Sequence, residues 1–348
     1  MGKMTRLLSL FVAVITLVVT AATAEAQQSN GLGVSPRKDY TVQAGQTASD
    51  TLYISNLSLR QDLLVNIRLV DFSAQDETGA PALHLGANDP QTPWSIKPFV
   101  KVPQSVRVSA GKSTNVPITI TIPANQGAGS YYSAIEYTAQ NPETKQKVTI
   151  SASTASLVFV TVPGQTKEQL ALQQFGAYEA NKDDTSGAFK GAFFGGAPQQ
   201  FAYRLTNSGN VAERPSGSLV VKDIFGRNVR EIEDANPKKQ LVLIGQTRRI
   251  QVCIKSSVLD SKAPTSSQTE EQSTCDNSGL LPGRYTAQMA LFYGLNGNST
   301  QEVTATTSFW YLPWWSIVAL GIILLFIALM IWLVRRAFGG GSRRRYRR

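Results

Sequence analysis

The chain has 348 residues, 34 basic and 24 acidic, for a formal net charge of +10, with two cysteines and one histidine. That length leaves room for two domains. A lone histidine, two cysteines and no Gly-x-Ser-x-Gly elbow argue against the common metal and serine hydrolases.

Lys3 and Arg6 precede an apolar run from Leu7 to Thr20, followed by Ala22-Thr23-Ala24-Glu25-Ala26. A charged start, a short apolar centre and small residues at the end make residues 1–26 an expected secretory signal peptide, cut after Ala24 or Ala26. An uncleaved anchor is the competing reading.

From residue 27 to 165 the pattern is β. Tyr40–Val42, Thr51–Ser55, Leu63–Val70, Ser105–Val108, Val116–Ile122, Tyr131–Tyr137 and Val148–Val162 read as strands. In Val116–Ile122 isoleucine alternates with threonine, which puts one face on a core and the other in water. His84 lies in a Pro/Gly-containing insertion and reads as structural or surface rather than catalytic. Trp94, in the insertion Ala74 to Pro103, is a candidate partner-binding residue, because long loops of sandwiches commonly carry recognition. Ala110-Gly111-Lys112-Ser113 ends like a phosphate loop, but a strand follows where a helix is needed, so it reads as a turn. Asp76-Glu77 and Asp183-Asp184 lack calcium-loop spacing and read as solvated turns.

Residues 166–309 repeat this grammar after a junction in which Lys167–Gln174 is expected as a short helix. Ala44-Gly45-Gln46-Thr47 has a counterpart in Ile244-Gly245-Gln246-Thr247, and the strand ending at Asn56 has one in the strand ending at Asn207. Gly129-Ser130-Tyr131 matches Gly283-Arg284-Tyr285, each tyrosine placed for a sandwich corner. The expected fold is therefore all-β: two tandem immunoglobulin-like β-sandwiches followed by one transmembrane helix. The Phe189, Phe193 and Phe194 loop is weighed both as a partner-binding surface and as a buried strand, with burial favoured. Cys253 and Cys275 bracket a polar insertion, residues 256–274, expected to be disordered, and in a secreted chain they are expected to be oxidised.

Residues 310–336 read as a membrane span. Trp314 to Val334 are 21 residues without a charge, about 32 Å as a helix, the thickness of a bilayer core. The cluster Trp310-Tyr311-Leu312-Pro313-Trp314-Trp315 suits an interfacial belt. Arg335, Arg336, Arg343, Arg344, Arg345, Arg347 and Arg348 form a basic tail with no acid, cytoplasmic over residues 337–348. Without these seven, Lys3, Arg6 and Glu25, the exterior holds 25 bases against 23 acids. The basicity is thus a topology signal, not a nucleic-acid surface.

Gly33-Val34-Ser35-Pro36, Ala44-Gly45-Gln46-Thr47, Ile54-Ser55-Asn56, Asp71-Phe72 and Gly129-Ser130-Tyr131-Tyr132 resemble the N-terminal domain (DUF916 type) of the WxL-interacting bacterial surface proteins. Asn207-Ser208-Gly209-Asn210-Val211, Asp223-Ile224-Phe225-Gly226 and Gly283-Arg284-Tyr285 resemble the second half of such proteins. The resemblance implies a single-pass cell-surface protein, ectodomain outside, that binds peptidoglycan or a wall-associated protein. The second domain fits the family's host-binding domain poorly, and host binding is not carried over. No enzyme, cofactor or metal is expected. A membrane-tethered relative of pilus-assembly chaperones is the alternative, with Arg37 and Lys38 on the first strand holding a partner's C-terminal carboxylate. A wall-modifying hydrolase, working through paired carboxylates, is the third reading.

Overall fold

The computed structural model describes residues 31–86, 88–140, 152–181, 186–257, 274–294 and 300–338. Residues 1–26, Asp183-Asp184, the tail arginines from Arg343 onward and most of the 256–274 insertion lie outside them.

The described chain is mostly β, with one C-terminal helix. Residues 31–162 form two main sheets. One runs β1 (Leu32–Val34), β3 (Thr47–Asn56), β9 (Ser113–Thr121), β7 (Val100–Lys101). The other runs β2 (Arg37–Thr41), β11 (Ala152–Val162), β10 (Gly129–Gln140), β4 (Leu63–Val70), β8 (Ser105–Val108). A small hairpin, β5 (Phe72–Ala74) with β6 (Pro81–Leu83), branches off after β4. Alternation along the strands sends Leu52, Ile54, Val65, Ile67, Ile118, Ile120, Ile135 and Val160 into one shared core.

In residues 170–311 the order of the five-stranded sheet recurs, whereas the four-stranded sheet is ordered differently. One sheet is β13 (Gly187–Phe189), β12 (Leu170–Ala180), β15 (Gln200–Asn207), β18 (Thr247–Cys253). Its companion is β14 (Ala192–Phe193), β22 (Gln301–Tyr311), β21 (Gly283–Tyr293), β16 (Ser216–Lys222), β17 (Asn228–Ile232). A separate core forms there around Phe201, Tyr203, Leu219, Ile250, Met289 and Phe309. The junction expected as a short helix is instead β12, bulged between Leu172 and Gln174. Its side chains pack as a strand does, with Leu170 buried and Leu172 against the second core.

The internal repeat holds at atomic detail. Tyr131 donates its hydroxyl to the Gly127 carbonyl (2.8 Å), and Tyr285 donates to that of Leu281 (2.6 Å). Asn56 and Asn207, both buried, accept from the backbone N–H two residues on (2.9 Å each) and donate to main-chain carbonyls. One expected match changes partner. Gln246 accepts from the Asn207 N–H (3.0 Å) and Lys112 from the Asn56 N–H (2.9 Å), through their carbonyls. Gly245-Gln246 therefore corresponds to Gly111-Lys112, the turn before β9, and not to Gly45-Gln46. The glycine is needed in both places, at φ 64° and 71°.

Cys253 and Cys275 form a disulfide, Cα–Cα 5.2 Å. At the ends of the insertion, β19 (Ser256–Ser257) runs antiparallel to β20 (Thr274–Cys275). The helix α1 spans Trp314–Phe338, with no residue buried. It starts four residues later than expected, because Trp310 and Tyr311 complete β22 against Ala192 and Phe193.

A candidate binding cleft between the two halves

Strand β10 is apolar on both faces. Ile135 and Tyr137 point into the first core, whereas Tyr132 and Ala134 point out of the sheet with Val70 and Phe159. This second face is covered by Leu241, Leu243, Ala212 and Ile244 from the second half. Phe72, Tyr132 and Phe159 pack with ring centroids 5.2–5.9 Å apart, each contact contributing about 1 kcal/mol beyond area burial.

Polar bonds tie the edges of this contact. The Ala74 N–H donates to Gln246 Oε1 (2.9 Å), and the Arg249 N–H to the Glu77 carbonyl (2.7 Å). Glu77 also pairs with Arg204. Asn210 accepts from the Ser130 N–H (2.9 Å) and donates to the Ala128 carbonyl (3.0 Å). Asp71 secures the base of the 71–103 insertion. Its carboxylate is nearly inaccessible and accepts from Ser133 Oγ (2.8 Å), the Thr92 N–H (3.0 Å) and Lys97 Nζ (3.2 Å). Burial would raise its pKa, but hydrogen bonding from Ser95, the Thr92 N–H, Ser133 and Lys97 outweighs burial and holds it below the usual carboxylate value.

Beside the apolar contact lies a cleft of about 550 Å³. One wall is the outer face of β2 and β11, with Arg37, Asp39 and Phe159. The other is made by Glu213–Ser216 and by Asp234–Leu241. Arg37 donates Nε to Asp39 (2.9 Å), and its guanidinium lies 4.4 Å from the centre of the Phe159 ring. Burial, with a smaller contribution from the charge of Arg37, depresses Arg248 below its ordinary pKa. Asn236 shapes the opposite loop, donating to the Pro215 (2.9 Å) and Gln240 (3.0 Å) carbonyls. Within it Lys239 adopts φ 48°, a left-handed conformation costing a non-glycine residue about 1 kcal/mol.

Glu213 occupies the back of the cleft at 1% exposure, its main chain bridged to Val242 in both directions. One carboxyl oxygen accepts from the Gly294 N–H (3.2 Å), and the other has no hydrogen-bond partner. Burial pushes its pKa up to about 7, and the neighbouring charge of Glu168 adds to the rise. With Glu213 only partly ionised at neutral pH and Arg37 matched by Asp39, the lining keeps Arg214 and Lys239 against Asp234. The cleft thus carries a modest positive excess suited to an anionic group such as a carboxylate.

The residues singled out from sequence fall in different places. Arg37 lines the cleft, but Lys38 points to the other face of β2, where it meets Asp50 (3.0 Å). Adjacent strand residues face opposite ways, so the two cannot act together from one strand. Trp94 is half-buried, 5.7 Å from the Tyr132 ring, and its carbonyl accepts from the Tyr132 N–H (2.7 Å). Phe193 is buried against Phe309, Phe189 is half-buried against Tyr178, and Phe194 is 58% exposed. These four residues do not converge on one surface. His84 Nε2 lies 3.1 Å from Ser73 Oγ within the small hairpin, and Asp76 caps a turn by accepting from the Thr78 N–H (2.8 Å). Sequence reasoning passed over Glu213, Arg214, Asp234 and Lys239. Only the apolar flank Val211-Ala212 hinted that Glu213 would be buried.

No family model matches the chain, and no curated protein matches it. Among solved structures it is similar to a chaperone–tip adhesin complex of CFA/I fimbriae biogenesis, at 12% identity over 80% of this chain and 98% of that one (TM-score 0.38). It is similar to the E. coli chaperone DraB at 13% identity, over 80% and 98% of the two chains (TM-score 0.33). A protein of unknown function from Porphyromonas gingivalis W83 aligns at 12% identity, over 79% and 98% (TM-score 0.29). Likenesses this remote carry no argument about activity.

Proposed function

We propose that the chain is a single-pass membrane protein with two tandem immunoglobulin-like sandwiches facing outward, which binds an envelope component in the cleft between them. The observation that carries the reading is the cleft itself, a charged groove beside a hydrogen-bonded junction, on a chain whose helix Trp314–Phe338 is long and apolar enough to cross a membrane. The resemblance to WxL-interacting proteins favours peptidoglycan, whose stem peptides end in carboxylates, or a wall-associated protein. The test is sedimentation of the detergent-solubilised full chain with purified wall material, in parallel with Lys239→Glu and Arg214→Glu. Saturable binding, weakened severalfold by either charge reversal and by salt, is the expected result. Release of sugars or peptides, or no saturable binding, would remove this reading.

A tethered, chaperone-like role is the second reading, favoured by one observation. β2 and the adjoining Ser35-Pro36 cover β11 only from Ser156 onward, so Ala152–Ala155 have no strand partner on that side among the described residues. Such an edge accepts a partner's strand through main-chain bonds. Exchange of a labelled strand peptide from a secreted subunit onto this edge would favour it over wall binding.

A further inference from the structure

Apart from Phe292, the large exposed apolar side chains described in the second half collect at the end where α1 begins. Strand pairing sets the levels. Gly283 lies opposite Tyr311 and Lys222 opposite Thr286, so the Asp223–Gly226 turn and the Leu281-Pro282 turn both project alongside the last residues of β22. Trp314 follows three positions after Tyr311, and at about 3.3 Å per residue Phe225 and Leu281 fall within roughly 10 Å of it along the strand direction. At these turns Ile224 is 66% exposed, Phe225 78% and Leu281 75%; Phe194, beyond the end of β14, is also exposed.

Scattered apolar residues on a surface need no explanation. A cluster around a membrane anchor differs, because the connection here leaves no slack. The N–H groups of Trp310, Leu312 and Trp314 donate to the carbonyls of Gly191, Phe193 and Phe194 (2.8, 2.8 and 3.0 Å). Sheet hydrogen bonding thus continues to the first residue of α1, with no linker over which the second half could swing away. Wherever α1 places the bilayer surface, these turns lie close to it. Their cations suit that position. Arg227 lies 5.2 Å over the Phe225 ring and pairs with Asp223, and Arg284 is exposed on the neighbouring strand. Arginines at such a level can reach lipid phosphates while the apolar side chains enter the interface.

We propose that this end of the second half is seated in the membrane interface, with Ile224, Phe225 and Leu281 inserted among the lipid headgroups beside the anchor. The proposal rests on the reading of α1 as a membrane span. It gives the cleft a fixed height and orientation above the bilayer instead of a flexible tether.

The test uses the full chain reconstituted in vesicles of phosphatidylcholine and phosphatidylglycerol, with single nitroxide labels on Phe225→Cys, Leu281→Cys, Phe292→Cys and Leu324→Cys. Labelling without reductant preserves the native disulfide. Relaxation by oxygen is compared with relaxation by a water-soluble nickel chelate. Labels at 225 and 281 are expected to favour oxygen severalfold over the label at 292, which sits on the same strand as Gly283 but about 30 Å away. The label at 324 should favour oxygen most strongly. Nickel access at 225 and 281 equal to that at 292, with 324 in lipid, would overturn the proposal and leave the anchor standing. Nickel access at 324 would overturn both. Ile224→Cys repeats the reading if the Phe225 variant folds poorly.

Discussion

Replacing Glu213 by glutamine tests the electrostatics of the cleft. The carboxyl group is 1% exposed, faces the charge of Glu168 and has one oxygen without a donor. Its pKa rises from an ordinary 4.5 to about 7 because burial penalises the anion. The sign follows from linkage. The folded state binds the proton more tightly than the unfolded chain, so full stability is present below about pH 4.5. It is lost progressively as pH rises to about 7, and the loss is complete above that. A shift of this size corresponds to roughly 3 kcal/mol, reduced to about 2 if water or relaxation screens the charge. Glutamine keeps an oxygen for the Gly294 N–H and cannot ionise. Glu213→Gln should therefore raise stability at pH 8 by about 2–3 kcal/mol and leave it nearly unchanged at pH 4.5. The assay is denaturant unfolding of the full chain in detergent, followed by tryptophan fluorescence across that pH range. A difference between variant and wild type that does not change with pH would show that the carboxyl group is already ionised in the fold, and the argument would fail.

Asp71→Ala leaves Lys97 and Ser133 facing an empty buried site and should destabilise by about 3–5 kcal/mol, read as a lower denaturant midpoint. Because the Asp71 pKa is held below its ordinary value, its contribution should persist at neutral pH and disappear as pH falls through the native value, which acid unfolding of wild type and Asp71→Asn will check. Removing the disulfide with Cys253→Ser and Cys275→Ser together, across a separation of 22 residues, should cost about 3 kcal/mol by loop-closure entropy. A double variant as stable as wild type under oxidising conditions would show that the bridge adds nothing to the fold.

The strands were legible where one face is buried and the other wet. Val116–Ile122 alternates isoleucine with threonine, and β9 lies there with its isoleucines in the core. The repeat was legible too, since Gly-x-Tyr and the strand-ending asparagine build the same local hydrogen bonds in both halves. The cleft was not. Its walls come from β2, β11 and two loops about 50 to 200 positions apart in sequence, and nothing in the local pattern of Glu213 or Lys239 encodes that meeting. Tyr132 shows the same limit from the apolar side: a tyrosine beside Tyr131 reads as core, but which of two cores it enters depends on the second half docking against it. The Lys167–Gln174 segment misled because its leucines and glutamines favour helix, and tertiary pairing with β15 outweighs that weak preference.

A ligand held in the cleft between the halves would shield the backbone on both of its walls. Hydrogen exchange of the full chain, with and without solubilised wall fragments, measures this shielding directly. Exchange should slow in Arg37–Thr41, in residues 212–216 and in residues 234–241, with little change at the β4–β8 edge of the first sheet. Protection confined to other surfaces, or none at saturating fragment, would contradict binding in the cleft.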